Sequence, residues 1–216
     1  LSAAQLAALS AADCARIFGQ DPADPAIAEL MQHFAVALGD LGRTLLERYG
    51  GSFRALVEAA GGSAERLAEL LAAMPYFNDI EVYDGQEVPF FKRAQLAAAD
   101  LAVAFDGQGL GHFTDLERLT IFADNLVPHV LRVDGVLHYQ PDVAARIDRE
   151  ELIPAGSPEE VEIRAGAVHA VELMVAALHT AGERITAHQL DYLLWNRGHE
   201  PLYKARPRHR TRTVYY

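Results

Sequence analysis

The chain has 216 residues and a mass of 23.6 kDa, and half of it is hydrophobic, enough for one core of ordinary size or one core with a small satellite. No stretch approaches the ~20 uncharged apolar residues that span a bilayer and no basic-then-apolar leader opens it, so a soluble, cytoplasmic chain without a membrane partner is expected. A net charge of −11 argues against a general nucleic-acid binder, and a single cysteine, Cys14, excludes a disulfide framework and any multi-cysteine zinc site.

In chain order the signals are mostly helical. Leu6, Leu9 and Ile17 mark a first short helix stopped near Gly19. Pro25 opens a long amphipathic helix through Leu30, Phe34, Leu38, Leu41 and Leu45 to Gly50-Gly51. Two shorter helices follow, Phe53 to Ala60 and Ser63 to Met74, with Gly61-Gly62 between them and Pro75 after. From Asp79 to Phe91 the period changes to that of strands, and Asp84-Gly85 between β-prone runs predicts a hairpin whose second strand Pro89 weakens.

Helix resumes from Lys92 to Phe105, and Gly107 to His112 reads as a flexible loop. Thr114-Asp-Leu-Glu117 has the form of a capping box, which predicts a helix carrying Leu119, Ile121, Phe122 and Leu126 until Pro128 kinks or ends it. Arg132 to Val136 reads as a second small turn or hairpin. Ser157-Pro158-Glu159-Glu160 is a strong helix start, and the helix should run to Gly182 with Arg164 on its apolar stripe, where the guanidinium must snorkel or be paired. Thr186 and Gln189 cap a last helix through Leu190, Leu193, Leu194 and Trp195. The expected fold is mostly α, a single helical domain over 1–216 with one or two minor β-hairpins. Residues 1–74 form its scaffold and 75–216 carry its motifs.

Charge and lysine are unevenly placed. Residues 197–216 hold Arg197, Lys204, Arg206, Arg208, Arg210 and Arg212 against Glu200, so this tail carries +5 and the remainder −16. Tyr203, Val214, Tyr215 and Tyr216 disfavour disorder, so the basic tail should dock on the body and offer a local anion site. Only two lysines occur, Lys92 and Lys204, and the desolvating Phe90 and Phe91 beside Lys92 mark it as functional.

Three sets of residues could carry chemistry. Asp124 stands with Asn125 in an apolar segment four residues before Pro128, and a carboxylate there needs a partner or a purpose. Asp191 and Trp195, one helical turn apart, would present a carboxylate and a flat aromatic to the same object, a pairing suited to a nitrogen heterocycle. Glu162 and Arg164 join that set, or Arg164 pairs with an acid and Trp195 belongs to the core. No metal site and no cofactor are expected: HExxH, the phosphate-loop pattern and the G-x-S-x-G elbow are all absent.

Phe90 to Leu101 (FFKRAQLAAADL), Leu119 to Arg132 (LTIFADNLVPHVLR), Glu159 to Glu172, Asp191 to Gly198 (DYLLWNRG) and Arg206 to Tyr216 closely resemble the queuosine salvage family. The resemblance spans most of residues 75–216. It implies a queuosine 5′-phosphate N-glycosylase that releases queuine, with a fold similar to helix-hairpin-helix DNA glycosylases. It further implies that Asp124, the aspartate of F-A-D, is catalytic and that Lys92, the lysine of F-K-R-A-Q, is essential. Family members usually carry a further N-terminal segment, so part of the site is expected from such a segment or a complementary chain.

On this basis the ligands are queuosine 5′-monophosphate and free queuine, with no direct nucleic-acid contact. Queuine, a 7-deazaguanine, lacks the N7 that glycosylases often protonate. Asp191 or Glu162 is therefore expected to hydrogen-bond the base edge, Trp195 or Phe91 to cover its face, and Asn125 to adjoin base or ribose. Asp124 is expected to stabilise the developing ribosyl cation or orient water, and Lys92, then Arg210 and Arg212, to hold the phosphate. A DNA-repair glycosylase is a competing enzyme reading, opposed by the acidic body and the lack of an L-P-G-[VI]-G-type hairpin. A helical interaction module with a basic tail is the non-enzyme alternative.

Overall fold

A computed structural model describes all 216 residues. Eleven α-helices and one two-stranded antiparallel sheet make up the regular structure. The first helical signal resolves into two helices, α1 (Ala3–Ala7) and α2 (Ala11–Phe18), each opened by a serine capping box, at Ser2 and Ser10. Both pack on α3 (Pro25–Arg48), which Asp24 caps through the backbone N–H groups of Ala26 and Ile27. Gly42 makes the α1 crossing possible, because a Cβ there would lie 2.4 Å from the Ala7 nitrogen and 2.5 Å from the Ala3 oxygen.

Helices α4 (Phe53–Glu58) and α5 (Ala64–Ala72) follow, opened by Ser52 and Ser63. Strands β1 (Ile80–Tyr83) and β2 (Gln86–Pro89) then form the predicted hairpin, with Tyr83 opposite Gln86 and Pro89 tolerated at the end opposite Ile80. Helix α6 (Lys92–Ala104) packs on α5. Together α3 to α6 enclose one core, around Leu45, Leu56, Leu67, Leu71, Met74 and Ala98.

The second core lies among α7 (Val127–Val133), α9 (Pro158–Thr180) and α10 (Ala187–Arg197), and contains Phe90, Val130, Val161, Val171, Leu190 and Tyr203. Helices α8 (Pro141–Asp148) and α11 (Pro201–Lys204) were not expected from the sequence. Both begin with proline at the first helical position and are short, so neither displays a full amphipathic repeat. Of the turn or hairpin expected at 132–136, the structure has the turn, which ends α7 with Gly135 at φ +76°.

The main correction falls between 114 and 126. The predicted helix is absent apart from a single 3₁₀ turn at Leu116–Arg118, and α7 begins only at Val127 with Pro128 in its first turn. Asp115 spends its carboxylate on α5 instead, accepting from the Ser63 hydroxyl and the Ala64 N–H, each at 2.6 Å. Residues 119–126 run as an irregular seam between the two cores. Leu119 and Phe122 enter the first core, and Ile121 and Ala123 the second. An apolar run buried on both sides carries no periodic signature that separates it from a buried helix.

A buried segment outside helix and sheet still needs partners for its backbone. Here side chains supply them. Gln95 accepts from the Thr120 N–H at 2.9 Å and donates to the Thr120 hydroxyl at 3.0 Å and the Phe90 carbonyl at 2.8 Å. Asp191 accepts from the Phe122 N–H at 2.9 Å, and the Arg164 Nε donates to the Ala123 carbonyl at 3.0 Å. Asp124 accepts from Leu126 and Val127 at 2.7 and 3.1 Å.

Residues 205–216 lie along the body. Arg210 forms a parallel bridge with Leu152, Arg93 donates to the Val214 carbonyl at 3.0 Å, and the Tyr216 hydroxyl donates to Glu160 at 2.7 Å.

Candidate active site

The seam delivers the first functional side chain. Asp124 is 8% exposed, and its Oδ1 takes both backbone N–H groups at the start of α7 while Oδ2 makes no protein hydrogen bond. The two donors fix the carboxylate, and the N-terminal end of α7 favours its negative charge. Asn125 follows in the same bend, half-buried.

Asp191 approaches from α10 and is 5% exposed. Burial pushes its pKa up to about 7, and the nearby Asp124 carboxylate adds to the rise, opposed by the Phe122 N–H and the Lys92 ammonium. Asp124 and Lys92 are thus both in electrostatic range of Asp191. At neutral pH Asp191 holds its proton a substantial part of the time and can donate a hydrogen bond.

Lys92 is placed by an unusual turn. Phe91 caps α6 at φ +46°, a left-handed conformation that costs an aromatic residue about 1–3 kcal/mol. Asp79 holds this turn from below: its carbonyl accepts from Phe90 and Phe91 at 2.9 and 3.2 Å, and its Oδ2 from the Lys92 N–H at 3.2 Å. Lys92 borders a cavity of about 480 Å³ that Thr213 to Tyr216, Tyr76 and Arg93 also line. Asp124 and Asp191 do not line that cavity.

Beneath the turn is a buried ionic hub. Arg164 is 1% exposed and binds the fully buried Asp79 through two bonds, of 3.0 and 2.6 Å, with Glu160 at 3.4 Å. Its guanidinium lies 3.9 Å from the Phe90 ring centroid and 4.8 Å from that of Tyr216. Arg164 is therefore paired rather than snorkelling, and it ties hairpin, seam, α9 and tail together.

Other predicted residues lie apart. Glu162 is on the exposed face of α9 and accepts from the Tyr83 hydroxyl at 2.5 Å. Trp195 is 41% exposed and meets His199 edge-on, with ring centroids 4.3 Å apart. Arg210 pairs with Glu150 at 3.6 Å and Arg212 with Glu29, both on the surface and outside the cavity that Lys92 borders. No group of three or more His, Cys, Asp and Glu residues is arranged to hold a metal ion. Sequence reasoning missed Gln95, Asp79 and Glu160. The stranded Arg164 signalled that an acid must face it, but nothing in the spacing pointed to Asp79, 85 residues away.

These features define a mostly α-helical protein in which two buried carboxylates, Asp124 and Asp191, are held at an irregular seam with a lysine in electrostatic range of Asp191, a set able to stabilise a developing cation and move a proton. The chain belongs to the queuosine salvage protein family, whose model matches residues 1–216. It is 44% identical, over 99% of its length, to a protein of Sphaerobacter thermophilus named queuosine 5′-phosphate N-glycosylase/hydrolase. Proteins of the same name from Mus musculus and Dictyostelium discoideum are each 35% identical, over 100% and 82% of this chain. The chain spans 65%, 66% and 56% of the lengths of these three relatives.

Proposed function

We propose that this chain hydrolyses the N-glycosidic bond of queuosine 5′-monophosphate, giving queuine and ribose 5-phosphate. The observation that carries the reading is the pairing of Asp124, fixed through one oxygen, with a buried Asp191 whose pKa rises to about 7, in a chain whose relatives bear this activity in their names. As the bond from C1′ to the base breaks, its electron pair leaves with the base and positive charge grows on the ribose. Asp124 stabilises that charge or orients the water that adds to C1′. The protonated Asp191 donates to the edge of the departing base, help that matters because a 7-deazaguanine offers no N7 to protonate. The water's proton ends on the base.

Lys92 is the phosphate ligand in this reading, since its side chain borders a cavity while Arg210 and Arg212 are engaged by surface acids. Phe91, its neighbour in the chain, is assigned to cover the base, and Asn125, in the bend with Asp124, to adjoin the ribose. No helix of the chain is long and apolar enough to cross a membrane, and the substrate is a free nucleotide.

Incubating the chain with queuosine 5′-monophosphate and with the unphosphorylated nucleoside, and following queuine by mass spectrometry, tests the reading. Queuine is expected from the nucleotide at a much higher kcat/KM, and Lys92→Gln is expected to narrow the gap. Equal efficiency on both substrates removes the phosphate role, and release from neither contradicts the proposed activity.

A further inference from the structure

Arg164, 1% exposed, is too buried to touch a substrate, yet its planar fork of donors reaches both halves of the proposed site. On one side its Nε donates to the Ala123 carbonyl at 3.0 Å. That oxygen belongs to the peptide unit joining Ala123 to Asp124. A peptide unit is planar, so holding the carbonyl fixes the plane by which the chain enters Asp124. One residue earlier, Asp191 holds the Phe122 N–H at 2.9 Å.

On the other side the two terminal nitrogens of Arg164 hold the fully buried Asp79, at 3.0 and 2.6 Å. The same carboxylate accepts from the Lys92 N–H at 3.2 Å, and the Asp79 carbonyl accepts from Phe90 and Phe91 at 2.9 and 3.2 Å. These bonds secure the left-handed turn at Phe91 that starts α6 at Lys92. A carboxylate buried this deeply needs its counter-charge to stay in place. The rings of Phe90 and Tyr216 pack on the guanidinium, and Glu160 takes a further N–H at 3.4 Å, so the fork is held in one orientation. Gln95 also joins turn to seam, but at Phe90 and Thr120, farther along the chain from Asp124.

We propose that Arg164 is a positioning residue for Asp124 and Lys92 together, setting the first through the Ala123 carbonyl and the second through Asp79. In a nucleotide the 5′-phosphate and C1′ are a set distance apart, so a site that reads both must hold its cation and its carboxylate at a matching spacing. One rigid fork between them supplies that spacing. The catalytic consequence rests on the proposed glycosylase reading, whereas the coupling of turn to seam does not.

Asp79→Asn is the discriminating variant. The Asp79 carboxylate bonds only Arg164 and the Lys92 N–H, so a change there reaches the seam through Arg164. Amide hydrogen exchange of the folded variant, read residue by residue, is expected to speed about tenfold or more at Leu126 and Val127, the two donors to Asp124. Thr120, held by Gln95, is expected to keep its wild-type rate. Equal acceleration at Thr120, or none at Leu126 and Val127, overturns the proposal. If Asp79→Asn does not fold, Arg164→Lys, which keeps the charge and loses the fork, takes the same measurement with the same two outcomes.

Turnover adds a readout that loss of stability does not move. With queuosine 5′-monophosphate and its nucleoside as substrates, the folded variant is expected to show a raised KM for the nucleotide, a narrowed preference for it and a kcat lower by about tenfold or more. A wild-type KM and preference, with activity reduced only in proportion to the unfolded fraction, marks a purely structural role and overturns the proposal. Wild type that releases no queuine contradicts the proposed activity instead, and the exchange comparison then decides the coupling by itself.

Discussion

Asp191 is the residue whose behaviour is most directly set by its surroundings. Its pKa is raised above that of an unfolded aspartate, so its contribution to stability is complete below about pH 4, declines as pH rises toward about 7 and is gone above that, where a buried charge opposes folding. Asp191→Asn retains an acceptor for the Phe122 N–H and removes the titration. Melting temperatures measured from pH 4 to 9 are expected to fall more steeply with pH in the wild type than in Asp191→Asn, and parallel curves would contradict the burial of this carboxyl. In the proposed reaction the same proton serves the departing base, so kcat/KM for queuine release is expected to decline as pH passes about 7, a limb absent from the Asn variant.

Arg164 makes the opposite case, a charge buried because it is paired. Arg164→Met leaves the Asp79 carboxylate buried without its partner, a loss commonly worth about 3–5 kcal/mol, so urea unfolding is expected to move by that order. A change below about 1 kcal/mol would mean that Asp79 finds water or another donor.

At the scale of elements, legibility followed the source of the hydrogen bonds. Helices α3, α4, α5, α9 and α10 were readable because each carries its own start signal, Asp24, Ser52, Ser63, Ser157 or Thr186, and satisfies its own backbone. The hairpin was readable from Asp84-Gly85, since the turn and the register are local. The seam at 119–126 was not readable. Its partners are Gln95, Arg164 and Asp191, which lie 25, 41 and 69 residues away, and only Asp124 acts locally. Asp124 was found as a buried carboxylate, but its setting was misassigned to a helix.

Gln95 therefore deserves the same test as the acids. Gln95→Ala strips the Thr120 N–H and the Phe90 carbonyl of their partner, a cost of about 1–3 kcal/mol, and is expected to lower queuine release beyond what the stability loss explains, because the seam carries Asp124. Full activity in a folded Gln95→Ala chain would show that the seam holds its shape without that side chain. Gly42→Ala, by contrast, must move backbone at the α1 crossing and is expected to destabilise the chain while sparing the seam.

For the whole molecule, two cores meet along one irregular strip, and Asp124, the proposed catalytic carboxylate, sits on the strip rather than in either core. A seam between two rigid bodies can hold side chains in positions that regular helices do not offer, at the cost of needing buried polar partners. The tail reinforces this arrangement through Tyr216, which stacks on Arg164 and bonds Glu160. Its arginines are exposed, with Arg210 paired to Glu150 and Arg212 to Glu29. Charge asymmetry in the sequence announced the basic tail, but the body residues it meets, Glu29, Arg93, Glu150 and Glu160, could not be placed without the fold.

The most direct test is the turnover of queuosine 5′-monophosphate by the wild-type chain and by Asp124→Asn, with free queuine quantified by mass spectrometry and nucleotide binding measured alongside. Wild type is expected to release queuine, and Asp124→Asn to bind the nucleotide but release the base on the order of 100-fold more slowly, the scale of one lost preorganised interaction at a developing charge. Near-wild-type release by Asp124→Asn would remove Asp124 from the chemistry and with it the role assigned to the seam.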